Sequence, residues 1–247
     1  MEHIDNKKLF TNLEYRFNYV SKFIGFGEED IKYIHESSSV LAPLVPTVVD
    51  LVYKKLFSFD ITKRPFLVRN DNFTGKMEES LEELNDSSSE QIKFRKDMLS
   101  KYLIKLFSAD FNAKGFINYL DWVGKIHTNK SGNKKIVVDY IHINALFGYV
   151  SDVLLGTIST SSSLNEEQRT KTIQAFNKFF WIQNDLFTKY YVDDAERNGV
   201  QLEDNSTRTT TTIAASCCFG NKTFSTSGLW YSTVAAAFFL LGKYFAF

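Results

Sequence analysis

The sequence predicts an all-α protein. Its 247 residues include only three prolines and 12 glycines, which favours long helices over a turn-rich β fold. Apolar residues recur at helical spacing, as in the segment from about 90 to 107, where most lysines lie outside the apolar face. That face consists of Ile92, Leu99, Leu103 and Leu106.

Polar residues mark where several of these helices begin. Acidic residues at 28–30 suit the first turn of a helix, because negative charge there complements the helix dipole. Pro43 and Pro46 indicate a break before a helix from about 46 to 58. Two serine–glutamate pairs predict capping boxes that open later helices: Ser87 with Glu90, and Ser163 with Glu166.

Charge and cysteine content limit the class of protein. Lys plus Arg and Asp plus Glu both total 29, so the net charge does not indicate a nucleic-acid partner. The two cysteines, Cys217 and Cys218, are adjacent and provide no disulfide framework, which fits a reducing compartment. The first residues lack the apolar core of a secretory signal. We therefore expect a cytoplasmic protein.

The chain divides into three parts by composition. Residues 1–193 carry the helical pattern, and 194–228 form a polar stretch that predicts a flexible linker. Residues 229–247 form a hydrophobic C-terminal tail in which Lys243 is the charged side chain. The length of this tail is close to the minimum of about 17 residues that a helix needs to cross a bilayer. The tail predicts either an anchor to the cytosolic face of a membrane or a helix that docks on protein.

The most informative motif is a tryptophan-bearing helix that ends in a histidine. The segment 120–127 reads LDWVGKIH and is followed by a polar break at 128–135 and an apolar helical pattern at 136–150. A neutral imidazole at a helix end can offer one ring nitrogen to a metal. No cysteine pair or carboxylate cluster stands nearby to complete the coordination. If His127 is a ligand rather than a core histidine, haem is the natural partner.

This region resembles the proximal-histidine region of protoglobins and of the globin domain of globin-coupled sensors. The matching residues are Gly124-Lys125-Ile126-His127, followed by the helix that starts around Tyr140-Ile141-His142-Ile143. Upstream, 16–31 is similar to the start of the sensor globin and 48–57 to its second core helix. The resemblance covers about residues 10 to 192. It implies a globin-like helical sandwich with an extra N-terminal helix.

The same resemblance implies a set of haem-binding residues. His127 is expected to be the axial ligand of haem b, held non-covalently because no Cys-x-x-Cys-His motif is present. Tyr53 matches the family's distal tyrosine, and Phe66 an aromatic that packs on the porphyrin. The remaining expected contacts are Leu99 and Leu103 on the distal side and Trp122, Ile126 and Ile141 on the proximal side. For each of them the alternative is ordinary core packing.

Two further histidines are weighed separately. His142 is expected either to hydrogen-bond a haem propionate or to satisfy a polar group of the core, and it is not assigned as a ligand. His35 precedes a run of serines and is expected to be exposed.

The resemblance implies a haem-binding globin for diatomic gases (O2, CO or NO) that acts as a gas sensor or scavenger. A sensor would work with a signalling partner or as a homodimer, because no transmitter module follows residue 193. We do not expect an enzyme, since no distal base is evident and no Gly-x-Gly-x-x-Gly motif is present to bind an electron-donating cofactor. The alternative is a haem-free helical interaction domain anchored to a membrane. The polar insert at 70–89 departs from the family pattern.

Overall fold

Helices make up the regular structure of the computed structural model, which describes residues 1–130 and 135–192. No strand occurs in those residues, so the all-α prediction is confirmed. The α-helices are α1 (Asn6–Thr11), α2 (Leu13–Ile24), α3 (Glu28–Glu36), α4 (Ser38–Leu41), α5 (Val45–Leu56), α6 (Asp60–Lys63), α7 (Glu90–Leu106), α8 (Lys114–Lys125), α9 (Tyr140–Ser159) and α10 (Glu166–Thr188). Two short 3-10 helices span Ala42–Leu44 and Arg64–Leu67.

The turn between α2 and α3 follows the sequence signals closely. Gly25 ends α2 with φ 74°, a left-handed conformation that glycine adopts without strain. The acidic first turn of α3 is present as predicted. Within it, the Asp30 carboxylate accepts a hydrogen bond from the Gly27 backbone N–H at 3.0 Å, which satisfies a donor that the helix leaves unpaired.

The predicted capping box of Ser87 with Glu90 is wrong. Helix α7 begins at Glu90, with Ser89 in the N-cap position and no side-chain cap hydrogen bond. The Ser89 hydroxyl instead accepts from the Asn85 backbone N–H at 2.9 Å. Ser87 lies too early in the chain to reach the exposed N–H groups of the first helical turn.

The second predicted box, Ser163 with Glu166, is displaced by two residues. Asn165 is the N-cap of α10, and its side chain accepts from the Gln168 backbone N–H at 2.9 Å. The Gln168 side chain in turn accepts from the Asn165 backbone N–H at 3.0 Å. Asparagine caps a helix as well as serine does, so the sequence contained two overlapping signals.

Helix α10 is the centre of the described fold. It packs against α2, α3, α8 and α9. Its inward-facing residues Phe176, Phe179, Ile182 and Leu186 are at most 1% exposed, and Phe179 meets Phe111 edge-on at 5.5 Å between ring centroids. These large side chains provide most of the apolar surface that drives the other helices onto α10.

An ion pair fixes the N-terminal helix α2 to α10. The Arg16 guanidinium donates to both carboxylate oxygens of Asp185, at 2.7 Å from Nε and 2.6 Å from Nη2. Both side chains are largely shielded from solvent. A bidentate pair in this setting sets orientation as well as adding stability.

Helix α9 links two groups of helices. It contacts both α10 and α5, and α5 also packs against α7. Within the described residues, α9 is the helix that is long and apolar enough to cross a membrane, judged by length and composition alone. The predicted linker (194–228) and tail (229–247) lie outside the described residues, so both stay predictions.

The contact between α8 and α10 yields a test. A β-carbon added at Gly124 would lie 2.7 Å from the Leu186 carbonyl oxygen and 3.1 Å from its carbonyl carbon. These are backbone atoms of a buried helix, which cannot move aside as a flexible side chain can. We expect Gly124→Ala to lower the free energy of unfolding by about 1–3 kcal/mol in urea denaturation.

The control is Gly115→Ala in the same helix, where an added β-carbon meets no atom within 4 Å. That change should be neutral or stabilising by about 0.5–1 kcal/mol, because alanine is the better helix former. Equal destabilisation by the two substitutions would contradict the close approach at Gly124.

Candidate functional site

The end of α8 places His127 against α10. Because Gly124 has no side chain, the last turn of α8 approaches the backbone of Leu186 and Phe187 directly. His127 follows this turn, and its ring centroid lies 5.2 Å from that of Phe187. The spacing of three residues from glycine to histidine therefore has a structural reason: the glycine sets the contact that positions the imidazole.

The His127 imidazole is oriented by its own helix. Its Nδ1 lies 2.8 Å from the Val123 carbonyl oxygen, and a carbonyl can only accept, so Nδ1 carries the proton and donates. In the neutral ring the lone pair is then on Nε2, which has no hydrogen-bond partner among the described residues. Burial lowers the His127 pKa, so the ring is neutral at neutral pH. A fixed tautomer with a free Nε2 suits a metal ligand.

The backbone on the far side of His127 is held as well. The Val138 N–H donates to the His127 carbonyl oxygen at 2.9 Å. The Tyr191 hydroxyl, just beyond α10, donates to the Val138 carbonyl at 2.7 Å. Burial raises the pKa of Tyr191 to about 12, which keeps it a donor. These bonds hold Val138 out of the helix, so α9 begins at Tyr140, later than the apolar pattern from 136 suggests.

Tyr53 lies on α5, and its ring packs among aromatic residues. The residue is 5% exposed, and its ring packs on Phe66 at 5.5 Å and Phe57 at 6.4 Å between centroids. Its hydroxyl makes no hydrogen bond to any described residue. Burial raises the Tyr53 pKa, so it stays a neutral phenol with a proton to donate. The phenol proton is therefore available to a ligand that binds beside Tyr53.

Among the expected distal residues, Phe66 is the one that contacts the Tyr53 ring. Phe66 lies in the second 3-10 helix and is half-buried. Leu99 and Leu103 are half-buried on α7 and pack against the core. The structure thus brings Tyr53 and Phe66 into direct contact, and α7 packs on the helix that carries Tyr53.

Sequence reasoning did not single out Arg95, a half-buried basic residue of α7. Its guanidinium lies 5.3 Å from the Phe66 ring centroid and donates to the Val68 carbonyl at 2.6 Å. Burial is the main cause of the raised Tyr53 pKa and of the lowered His127 pKa; the Arg95 charge opposes the first shift and adds to the second. The sequence did contain a signal for Arg95: it lies four residues before Leu99, a spacing that places the two side chains on the same face of the helix.

The expected proximal residues are less enclosed. Trp122 is 43% exposed and stacks on Tyr119, with ring centroids 6.1 Å apart. Ile126 is half-buried, whereas Ile141, on the first turn of α9, is 70% exposed. The structure does not bring these three together around His127, and their contact with a haem stays a prediction.

The other weighed histidines have different surroundings. His142 is half-buried, and its ring makes no hydrogen bond to the described residues. His35 is not exposed as expected: its Nε2 donates to the Ala109 carbonyl at 3.0 Å and its ring packs 6.0 Å from that of Phe111. That hydrogen bond satisfies His35 structurally.

No group of three or more His, Cys, Asp or Glu side chains within residues 1–130 and 135–192 could hold a metal ion. A metal at His127 would therefore need further ligands from a cofactor, as a porphyrin supplies them. The free Nε2 of His127 and the unpaired Tyr53 hydroxyl are the two polar atoms that such a group would engage. The residues present fit haem.

Comparison with known families agrees with this geometry. The protoglobin family model matches residues 13–197, three quarters of the chain. Comparison with curated proteins gives no match. The match includes α2 to α10, and hence His127, Tyr53 and Arg95. Members of this family bind haem and gas ligands. This chain belongs to the protoglobin family.

Proposed function

We propose that this chain binds haem b through His127 and takes a diatomic gas, O2, CO or NO, beside Tyr53, as a gas sensor or scavenger. The observation that carries the proposal is the His127 imidazole, whose Nδ1–H is fixed on the Val123 carbonyl while Nε2 has no partner among the described residues. Haem iron would supply the open coordination position at which a gas binds.

His127 has two tasks in this proposal. Its neutral Nε2 provides the bond that retains the cofactor, and the low pKa keeps that lone pair available without competition from a proton. Its hydrogen bond to Val123 fixes the ring plane relative to α8. Phe187 at 5.2 Å limits rotation of the ring from the other side.

Tyr53 stabilises the gas. Its phenol O–H has no other acceptor in the described residues, so donation to a polar ligand breaks no existing bond. Bound dioxygen carries more negative charge than bound carbon monoxide and accepts a stronger hydrogen bond. Tyr53 therefore favours oxygen over carbon monoxide.

Binding rather than catalysis fits the distal residues. Leu99 and Leu103 cannot exchange protons, and the raised pKa of Tyr53 prevents it from acting as a base at neutral pH. General acid–base chemistry on a bound ligand has no suitable side chain among them. We therefore propose a non-enzymatic role.

We further propose a cytoplasmic protein tethered through residues 229–247 to the cytosolic face of a membrane. The support is compositional: a polar stretch precedes an apolar tail of near-spanning length. A sensor of this design would pass its signal to a separate protein or act as a homodimer. The alternative, a haem-free interaction domain with the same tail, predicts purified protein without a Soret band.

His127 can be tested directly. His127→Ala should abolish stable haem incorporation, or leave an exchangeable haem that accepts added imidazole, because the strongest bond to the cofactor is lost. Absorbance of the purified protein in the Soret region measures this. His142→Ala is the control and should retain the Soret band, and the reverse pattern would assign the ligand to His142.

Tyr53→Phe removes one hydroxyl and almost no volume. The oxygen off-rate should rise about ten- to a hundredfold, since a hydrogen bond of about 1.5–3 kcal/mol is lost, while carbon monoxide release should change much less. Flash photolysis and stopped-flow mixing measure both rates.

The control for Tyr53 is Tyr102→Phe on α7. The Tyr102 hydroxyl already donates to Gln183 at 3.2 Å, so its loss should affect stability rather than ligand release. Equal changes in the oxygen and carbon monoxide rates of Tyr53→Phe would show that Tyr53 acts by packing.

The tail is tested by fractionation. The full chain should sediment with membranes, and deletion of residues 198–247, beyond the family match, should leave a soluble haem domain with an unchanged spectrum. Ala237→Lys should release the intact protein, because a lysine at the bilayer centre costs about 2.5–3.5 kcal/mol. Recovery of the unmodified chain in the high-speed supernatant would contradict the anchor.

A further inference from the structure

Arg95 is a half-buried cation with no ion-pair partner among the described residues. It donates one hydrogen bond, 2.6 Å from Nη2 to the Val68 carbonyl oxygen, and its guanidinium covers the face of Phe66 at 5.3 Å. Burial lowers its pKa, yet a guanidinium keeps its proton at neutral pH. A shielded positive charge without a counter-charge is unfavourable, and an anion nearby would relieve that cost.

The charge of Arg95 acts within the proposed haem site. The ring that it covers, Phe66, lies 5.5 Å from the ring of Tyr53. Spacing along α7 places Arg95 on the same face as Leu99. Both Tyr53 above the proposed haem and His127 below it experience the positive charge.

The neighbouring cation, Lys96, is in a different situation. Its Nζ lies 5.6 Å from the Tyr53 ring centroid but also pairs with the Asp50 carboxylate at 2.8 Å. Its charge is therefore compensated. Arg95 remains as the cation that contacts the site's aromatic residues without a carboxylate partner in the described part of the chain.

We propose that Arg95 gives this haem pocket affinity for small monoanions, such as azide or nitrite, at ferric iron, in addition to neutral gases. The inference rests on the proposed haem binding by His127. Binding is a ligand addition in which the anion shares a lone pair with iron, and no electron or proton is transferred. The anion gains the attraction of Arg95 as well as the Tyr53 hydrogen bond, whereas a neutral gas gains mainly the latter.

The position of Arg95 favours a ligand over a haem propionate as its anion. Its aromatic partner, Phe66, packs on the tyrosine expected above the iron. Propionates lie at the rim of the porphyrin, where water can solvate them. At the effective dielectric of a partly buried site, a full charge near a bound anion changes affinity about ten- to a hundredfold.

The test compares ligands of different charge on the full chain. Ferric protein is titrated with azide and with neutral imidazole, ferrous protein with carbon monoxide, and haem loss is followed by transfer to apomyoglobin. Arg95→Met should weaken azide binding about ten- to a hundredfold and change imidazole and carbon monoxide affinities by no more than about twofold. Arg95→Lys, which keeps the charge, should recover most of the azide affinity.

Arg69→Met is the matched control. Arg69 is exposed, donates to the carbonyls of Phe73 and Gly75 at 3.0 Å, and covers the Phe73 ring at 5.8 Å. It makes the same kinds of contact as Arg95, but with Phe73 rather than with the ring that packs on Tyr53. Its replacement should leave azide affinity unchanged.

Failure of the proposed haem binding and failure of the Arg95 inference give different experimental results. A wild-type chain without a Soret band would overturn the proposed function and this inference with it. Haem binding with unchanged azide affinity in Arg95→Met would overturn the inference alone, and faster haem transfer in that case would assign Arg95 to a propionate. A parallel loss of azide, imidazole and carbon monoxide affinity would mean that Arg95 acts by packing.

Discussion

The close contact between the end of α8 and the backbone of α10 is the constraint on which the site depends. Gly124 permits it, and it fixes where His127 emerges relative to Phe187. Helix α10 in turn contributes nine buried residues to the core and packs against α2, α3 and α9 as well. The proposed ligand, His127, therefore derives its position from the centre of the fold rather than from a loop, as pre-organised sites generally require.

The two sides of the site differ in how their polar atoms are satisfied. On the His127 side, the ring Nδ1–H donates to the Val123 carbonyl, and the backbone carbonyl of His127 accepts from the Val138 N–H. On the Tyr53 side, the Tyr53 hydroxyl makes no hydrogen bond to a described residue, and the Arg95 guanidinium donates one, to the Val68 carbonyl. This asymmetry suits a pocket in which one face holds a permanent cofactor and the other receives an exchangeable ligand.

The helical class, the order of the helices and the position of His127 follow from sequence patterns, because glycine spacing and apolar periodicity reflect local and helix-packing geometry. Helix starts were less predictable, because two possible N-cap residues stand close together at each start: Ser87 and Ser89 before α7, and Ser163 and Asn165 before α10. Arg95 escaped notice because a basic residue at a helical position usually faces solvent. Its role emerges only once α5 and α7 are placed together.

The acceptor chosen for the His127 ring has an electronic effect. Nδ1–H donates to a neutral carbonyl, Val123, and not to a carboxylate. A carboxylate would draw the imidazole towards imidazolate and increase electron donation to a metal, whereas a carbonyl leaves it a moderate donor. Strong axial donors favour O–O bond cleavage, as thiolate does. If haem binds as proposed, the backbone of α8 would bias its iron towards the reduced state and towards reversible capture of ligands.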